Sequence, residues 1–152
     1  MKRLSWKYLA GLIDGEGCID VQISKGVYVR PRLRIGMSVV ADQLRPMLEN
    51  LMPGTTTFSY RRQENPAWQD SWSISWDGYR RCNKILRNVV KHLILKKEQA
   101  RFVLWLEEHI KGKQVSTEVR DAIREELKLM KRDPHRLSEQ AQQRIVEMLQ
   151  SD

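Results

Sequence analysis

The sequence predicts an α+β domain, an αββαββα core with a four-stranded antiparallel sheet and helices packed on one face of it, followed by further C-terminal helices. Three observations predict it. Residues 27–39 alternate strictly between apolar and polar. The order helix, strand, strand, helix, strand, strand, helix is complete within the first 112 residues. The length, 152 residues, is enough for one sizeable core but too short for two independent ones.

Ser5 caps a first helix whose Trp6, Leu9, Ala10 and Ile13 recur at helical spacing, and which ends where Gly15 and Gly17 bracket Glu16. Cys18 to Ser24 then alternates, with Ile19, Val21 and Ile23 on one face and Asp20, Gln22 and Ser24 on the other. Lys25 and Gly26 form the turn. In the next strand Val27, Val29, Pro31, Leu33, Ile35, Met37 and Val39 share one parity, and Tyr28, Arg30, Arg32, Arg34, Gly36 and Ser38 share the other. Pro31 donates no ladder hydrogen bond, which places this strand at a sheet edge or at a bulge. Asp42 or a neighbour begins a second helix carrying Leu44, Met47, Leu48 and Leu51, with Pro46 in its first turn and Pro53–Gly54 closing it. Strands follow at Thr56 to Arg62 and Ser71 to Trp76, separated by a loop from Gln63 to Gln69. Asp77 caps a helix with Cys82, Ile85, Leu86, Val89, Val90 and Leu93 on one face, and another helix runs from about Lys97 to Lys111. Ser116 or Thr117 starts a helix that Pro134 breaks, and Ser138 starts the last one. Residues 1–112 are therefore expected to form the core, and residues 113–152 a helical appendage of the same domain.

Charge narrows the function classes. There are 27 Lys and Arg against 19 Asp and Glu, a formal charge of +8. Residues 1–112 hold 19 basic and 11 acidic side chains, whereas residues 113–152 hold 8 of each, so the whole excess belongs to the first part. Because their charges cancel, the last forty residues are expected to brace the core rather than to reach phosphates. Arg outnumbers Lys by 16 to 11, which favours planar, bidentate contacts to phosphate or guanine. Arg30, Arg32 and Arg34 stand about 7 Å apart on one strand face, a groove-scale spacing; a solvated sheet face is the alternative reading. An apolar content of 41% excludes wholesale disorder. No apolar run approaches the roughly 18 residues of a membrane span, and the stretch after Met1, Lys2 and Arg3 stops at Asp14 and Glu16, too soon for a signal peptide. Cys18 and Cys82 imply no disulfide framework, so a reducing intracellular setting is expected, a bacterial or archaeal cytoplasm or an organelle. His92, His109 and His135 are too dispersed for zinc spacing. Trp6, Trp72, Trp76 and Trp105 occupy core parity, and only Trp68, in the loop, is open to stacking.

The chemically odd feature is the end of the first helix. Asp14 and Glu16 stand where exposed carbonyls already carry partial negative charge, and each exposed anion there costs about 0.3–1 kcal/mol. Carboxylates and carbonyls together form an all-oxygen site that suits Mg2+; a polar helix stop with a glycine cap is the alternative. Ala10 and Gly11 are adjacent in mid-helix although Gly costs about 1 kcal/mol there. Small residues permit close helix contact, and in so short a chain the partner helix is the same one in a second copy, across a two-fold axis. Ala10, Gly11 and Asp14 are the expected interface residues.

Leu9, Ala10, Gly11, Leu12, Ile13, Asp14, Gly15, Glu16 and Gly17 closely resemble the signature of the LAGLIDADG homing endonucleases, with Gly for Ala and Glu for Asp near its end. The αββαββα order resembles the family's, and Leu95, Lys96, Lys97, Glu98, Gln99 and Ala100 resemble a second family landmark. The motif occurs once, so the resemblance is to single-motif members. It implies a homodimer that cuts both strands of a long, nearly palindromic double-stranded DNA site, hydrolysing phosphodiesters with a divalent cation such as Mg2+ in intron homing. Glu16 matches the metal-binding acid, with the Gly15 carbonyl as an extra ligand; Asp14 matches an acid of structural or capping role; Lys96 matches the basic residue near the scissile phosphate. After the long strand the chain reads Val39, Val40, Ala41, Asp42, Gln43, Leu44, Arg45, which departs from the family's polar pattern. The water-ordering role falls to Asp42 or Gln43, and Arg45 is the basic candidate. The sheet face supplies candidate DNA contacts: Gln22, Ser24, Tyr28, Arg30, Arg32, Arg34, Ser38, Arg61, Ser71, Ser73 and Ser75. A catalytically inactive DNA-binding regulator, or an RNA-binding intron maturase, is the alternative on the same fold. No membrane partner and no small-molecule cofactor beyond the metal are expected.

Overall fold

The computed structural model describes residues 3–38 and 41–151. The opening Met1 and Lys2, the expected strand residue Val39, Val40 and the terminal Asp152 lie outside the described residues. Among the described residues, no helix is long and apolar enough to cross a membrane.

Helix α1 (Trp6–Glu16) starts at Ser5, whose Oγ accepts from the Tyr8 amide at 3.1 Å. It runs without a loop into β1 (Gly17–Ser24). Gly17 makes this junction possible, because a Cβ there would sit 2.7 Å from the Ile13 carbonyl oxygen and 2.9 Å from the Ile13 Cα. Lys25 and Gly26 take positive φ of 52° and 76° and return the chain as β2 (Tyr28–Ser38). Then come α2 (Leu44–Leu51), β3 (Thr55–Ser59), β4 (Ser71–Asp77), α3 (Gly78–Val89), α4 (Lys97–His109), α5 (Thr117–Arg132) and α6 (Ser138–Ser151).

The four strands form one antiparallel sheet in the order β1-β2-β4-β3. One face is apolar: Ile19, Val21, Leu33, Ile35, Trp72, Ile74 and Trp76 are buried, with α1 and α3 packed over the middle of the sheet. Burying each of these side chains contributes about 1.5–3 kcal/mol. Trp76 also meets its polar requirement, its indole N–H donating to the Met52 carbonyl at 2.7 Å. Trp72 and Trp76 are thus core residues, and Trp6 and Trp105 pack partly buried against the core.

Several local expectations need correction. β2 is central, not an edge. Pro31 is tolerated because the β4 ladder begins only at Arg32, paired with Asp77, so Pro31 has a neighbour, Val21, on one side alone. β3 ends at Ser59, so Arg61 lies in a 3-10 turn (Arg61–Gln63) and not on the strand. The reason is local: the Arg62 amide donates to Asp70 Oδ1 at 3.0 Å and the Ala67 amide to Asn65 Oδ1 at 3.0 Å, which closes a compact loop instead of extending the ladder. Asp77 precedes α3 but does not cap it with its side chain; its Oδ2 accepts from the Ser75 hydroxyl at 3.2 Å. Ala10 is fully buried in the core of its own chain, whereas Gly11, the other small residue of the helix, faces outward.

Helices α5 and α6 join the same core through Val119, Ala122, Ile123, Leu127, Ala141 and Ile145, and α5 lies along the edge strand β1. Ser116 caps α5 by accepting from the Val119 amide. The buried Glu126 accepts from Arg136 Nε and Arg144 Nη1, each at 2.8 Å, which ties the two helices together. The Ser138 amide on Glu98 (2.9 Å) and Gln99 Nε2 on the Leu127 carbonyl (3.1 Å) tie them to α4.

Candidate functional site

The end of α1 gathers side chains from two distant parts of the chain. Asp14 is half-buried, and its carboxylate accepts from three successive amides: Ile94 at 2.8 Å, Leu95 at 3.1 Å and Lys96 at 3.0 Å. These are the amides of the turn that leads into α4, so Asp14 ties that turn, eighty residues away, to the end of its own helix. Lys96 reciprocates, donating from Nζ to the Asp14 carbonyl at 2.8 Å. The last turn of α1 holds no basic residue. The ammonium of Lys96 therefore supplies the positive charge that a helix C-terminus favours.

Glu16, two residues on, is exposed and has no hydrogen-bond or ion-pair partner among the described residues. It lines a cleft of about 370 Å³ with Cys18 and Arg34 beside it and Gly36, Thr57 and Ser73 beyond. The helix end thus opens directly onto the polar face of the sheet. Among the described residues, no group of three His, Cys, Asp or Glu side chains could hold a metal ion. Because both oxygens of Asp14 are taken by amides, the end of α1 offers one free carboxylate, Glu16, plus helix-end carbonyls that include Gly15. That donor set fits Mg2+, which retains much of its water and binds through one or two carboxylates with the remaining ligands from substrate phosphate.

Cross-strand register arranges the polar face in rows: Ser24 with Tyr28, Gln22 with Arg30, Asp20 with Arg32 and Asp77, Cys18 with Arg34, Ser75 and Thr55, Gly36 with Ser73 and Thr57, and Ser38 with Ser71 and Ser59. The three arginines are not equivalent. Arg32 donates from Nε and Nη2 to the two oxygens of Asp20, at 3.0 and 2.8 Å, and this hydrogen bonding holds its guanidinium pKa above the usual value. Arg30 and Arg34 are exposed. Arg30 lies over Gly78, whose φ of +84° is what calls for glycine there; a Cβ would come within 2.5 Å of Nη2 at the flexible end of Arg30. Tyr28 accepts from Gln114 Nε2 at 3.4 Å, Ser38 donates to Gln69 Oε1 at 2.7 Å, and Ser71, Ser73 and Ser75 are half-buried.

Asp42 and Arg45 are held by each other: Arg45 Nε donates to Asp42 Oδ1 at 2.8 Å, which lowers the Asp42 pKa, and the guanidinium stacks 5.3 Å from the Phe58 ring centre. Gln43 sits just before α2 and makes no capping bond. None of these three lines the Glu16 cleft. Arg61 stacks on the exposed Trp68, 5.7 Å from its ring centre. Sequence reasoning missed Thr57 and Ser59, which line the Glu16 cleft from β3. Their strand, Thr55–Ser59, carries no apolar alternation that could have marked an outward face.

No family model and no curated protein matches this chain. Solved structures do. The homing endonuclease I-CvuI, in complex with its target in the presence of calcium, is similar over 91% of this chain and 90% of its own, with 21% identity and a TM-score of 0.62. The same enzyme with a different target and magnesium, its DNA not cleaved, is similar over 95% of this chain and 93% of its own, with 21% identity and a TM-score of 0.63. The LAGLIDADG homing endonuclease I-GzeII, in complex with its DNA target, gives 16% identity and a TM-score of 0.51 over 90% of this chain and 50% of its own. The fold is that of LAGLIDADG homing endonucleases.

Proposed function

We propose that this chain is one subunit of a site-specific double-stranded DNA endonuclease, a homodimer that hydrolyses phosphodiesters with a divalent cation on a long, nearly palindromic site. The observation that carries this reading is the unpartnered Glu16 carboxylate at a helix end that opens onto a sheet face bearing exposed Arg30 and Arg34, with the Lys96 ammonium anchored on the same helix end.

Each residue then has a physical task. Glu16, with the Gly15 carbonyl, would hold the cation, which when bound polarises the phosphodiester and offsets charge on the attacking and leaving oxygens. Lys96 presents a positive charge toward the oxygen on which negative charge develops. Arg30, Arg34, Gln22 and Ser73 enter the major groove from the sheet, where Arg reads guanine and Gln reads adenine. The second copy docks on α1. Gly11 and Gly15 have no atom within 4 Å of where a Cβ would be, and Tyr8, Ile94 and Leu95 around them are 52%, 83% and 73% exposed. A helix face made of glycines and rimmed by exposed apolar side chains suits close packing against its own copy and brings two Glu16 carboxylates together.

A DNA-binding protein that does not cut is the second reading, favoured by the Asp42–Arg45 pair, which ties up one of the two expected water-ordering residues with the expected basic one. The test is selection of bound duplexes from a randomised, near-palindromic library, followed by incubation with Mg2+ and with chelator. Cleavage in Mg2+ alone, with Glu16→Gln binding the same duplexes uncut, is the expected result. Tight binding without cleavage in Mg2+ selects the second reading.

A further inference from the structure

The 8 basic and 8 acidic residues of the C-terminal forty cancel in number but not in place. The buried acid between α5 and α6, Glu126, is already matched by Arg136 and Arg144, and the exposed Glu125 is reached by Arg144 at 3.3 Å. On the other flank of α5, Arg124, Lys128 and Lys131 are exposed and have no acidic partner among the described residues. Their spacing of four and three residues sets them on one ridge, about 6 and 4.5 Å apart along the helix axis.

That ridge faces the sheet. The three side chains line one wall of a groove of about 430 Å³ whose other wall is the edge strand β1, including Cys18 and Asp20 of its polar face. Asp20, the one acid of the groove, is already neutralised by Arg32. Asp121, one turn before Arg124, is the nearest unmatched acid on α5 itself.

We propose that Arg124, Lys128 and Lys131 form a second, sequence-independent contact, a basic rail that engages the phosphate backbone of duplex DNA alongside the sheet. The inference rests on the DNA-binding reading above. It gives α5 a role in affinity in addition to packing, and it extends the footprint sideways past β1. Charges placed this way contribute through counterion release and carry no base information.

The test uses the full chain and a random-sequence DNA duplex, because phosphate contacts do not depend on sequence. The variant is Arg124→Gln, Lys128→Gln, Lys131→Gln; the control, with equal charge loss on the helix face turned away from the sheet, is Arg80→Gln, Arg81→Gln, Lys84→Gln. Binding is measured across a salt series. The rail predicts that the plot of log affinity against log salt flattens by about 2.7 for each bound chain, from about 0.9 per phosphate contact. A flattening that exceeds the control's by at least one contact supports the rail; a smaller difference overturns it. Wild-type protein that binds no duplex overturns the DNA reading itself, whereas wild-type binding with an unmoved slope in the variant overturns the rail alone. Loss of RNA-duplex binding with DNA binding unmoved would assign the ridge to RNA and also overturn it.

Discussion

Asp14 and Glu16 are two residues apart on one helix end, yet their environments give them opposite work. Asp14 is saturated by three amides and fixes where Lys96 stands; Glu16 has no partner and is free to take a ligand. Asp14→Asn keeps one acceptor oxygen but turns an NH2 donor toward at least one of the three amides, so it is expected to cost roughly 1.5–3 kcal/mol, the scale of losing a hydrogen bond to a charged group. Urea unfolding checks the size. At a temperature where the variant is still folded, DNA cutting should fall steeply while duplex binding changes little, because the Lys96 loop is released and the sheet is untouched. Equal loss of binding and cutting would instead mean that the substitution disturbs the sheet. This division of labour was only partly legible. The sequence puts the two acids at the helix end, and the family resemblance implies a structural or capping role for Asp14, but the turn before α4 that it holds is reached by a contact across eighty residues that no local pattern reports.

Helix α1 meets its surroundings through three glycines with different constraints. Gly11 and Gly15 open to empty space within the chain, while Gly17 is pressed against the Ile13 backbone. Gly17→Ala should therefore destabilise the monomer by about 1–3 kcal/mol through overpacking, read as a lowered melting temperature. Gly11→Leu should leave the monomer at least as stable, since leucine is the better helix former by up to about 1 kcal/mol. The proposed dimer, however, loses its close helix contact, so sedimentation should report the mass of a single chain and cleavage should vanish. A Gly11→Leu protein that keeps the mass of two chains would place the interface elsewhere. Element type was readable wherever periodicity was strong, as in β2, β4 and α3, and failed where a partner decides. Pro31 signals an edge, but β2 is an edge only over Tyr28 to Pro31, because β4 is shorter. Arg61 sits within a run that reads as strand until Asp70 captures the following amide. Ala10 and Gly11 look alike as small residues, and only the direction of each on α1 separates a core position from an outward one.

At the scale of the molecule, the proposed enzyme needs two chains because one chain holds one free acid at one helix end. Among the described residues, no group of three His, Cys, Asp or Glu side chains within one chain could hold a metal ion. Duplex DNA has two strands of opposite polarity, and a two-fold dimer presents one Glu16 to each. Mixing tests this directly. Wild type and Glu16→Gln are unfolded together, refolded and allowed to exchange, so that mixed dimers carry one intact site. On a supercoiled plasmid bearing a selected target, wild type alone should give linear product and the variant alone none. Mixed dimers should give nicked circles, greatest in amount when the two chains are equal in concentration. If each chain acted alone on both strands, dilution with the variant would lower the yield of linear plasmid without accumulating nicked circles. If both acids were needed for either cut, mixed dimers would be inert. Only independent sites, one per subunit, predict the nicked product.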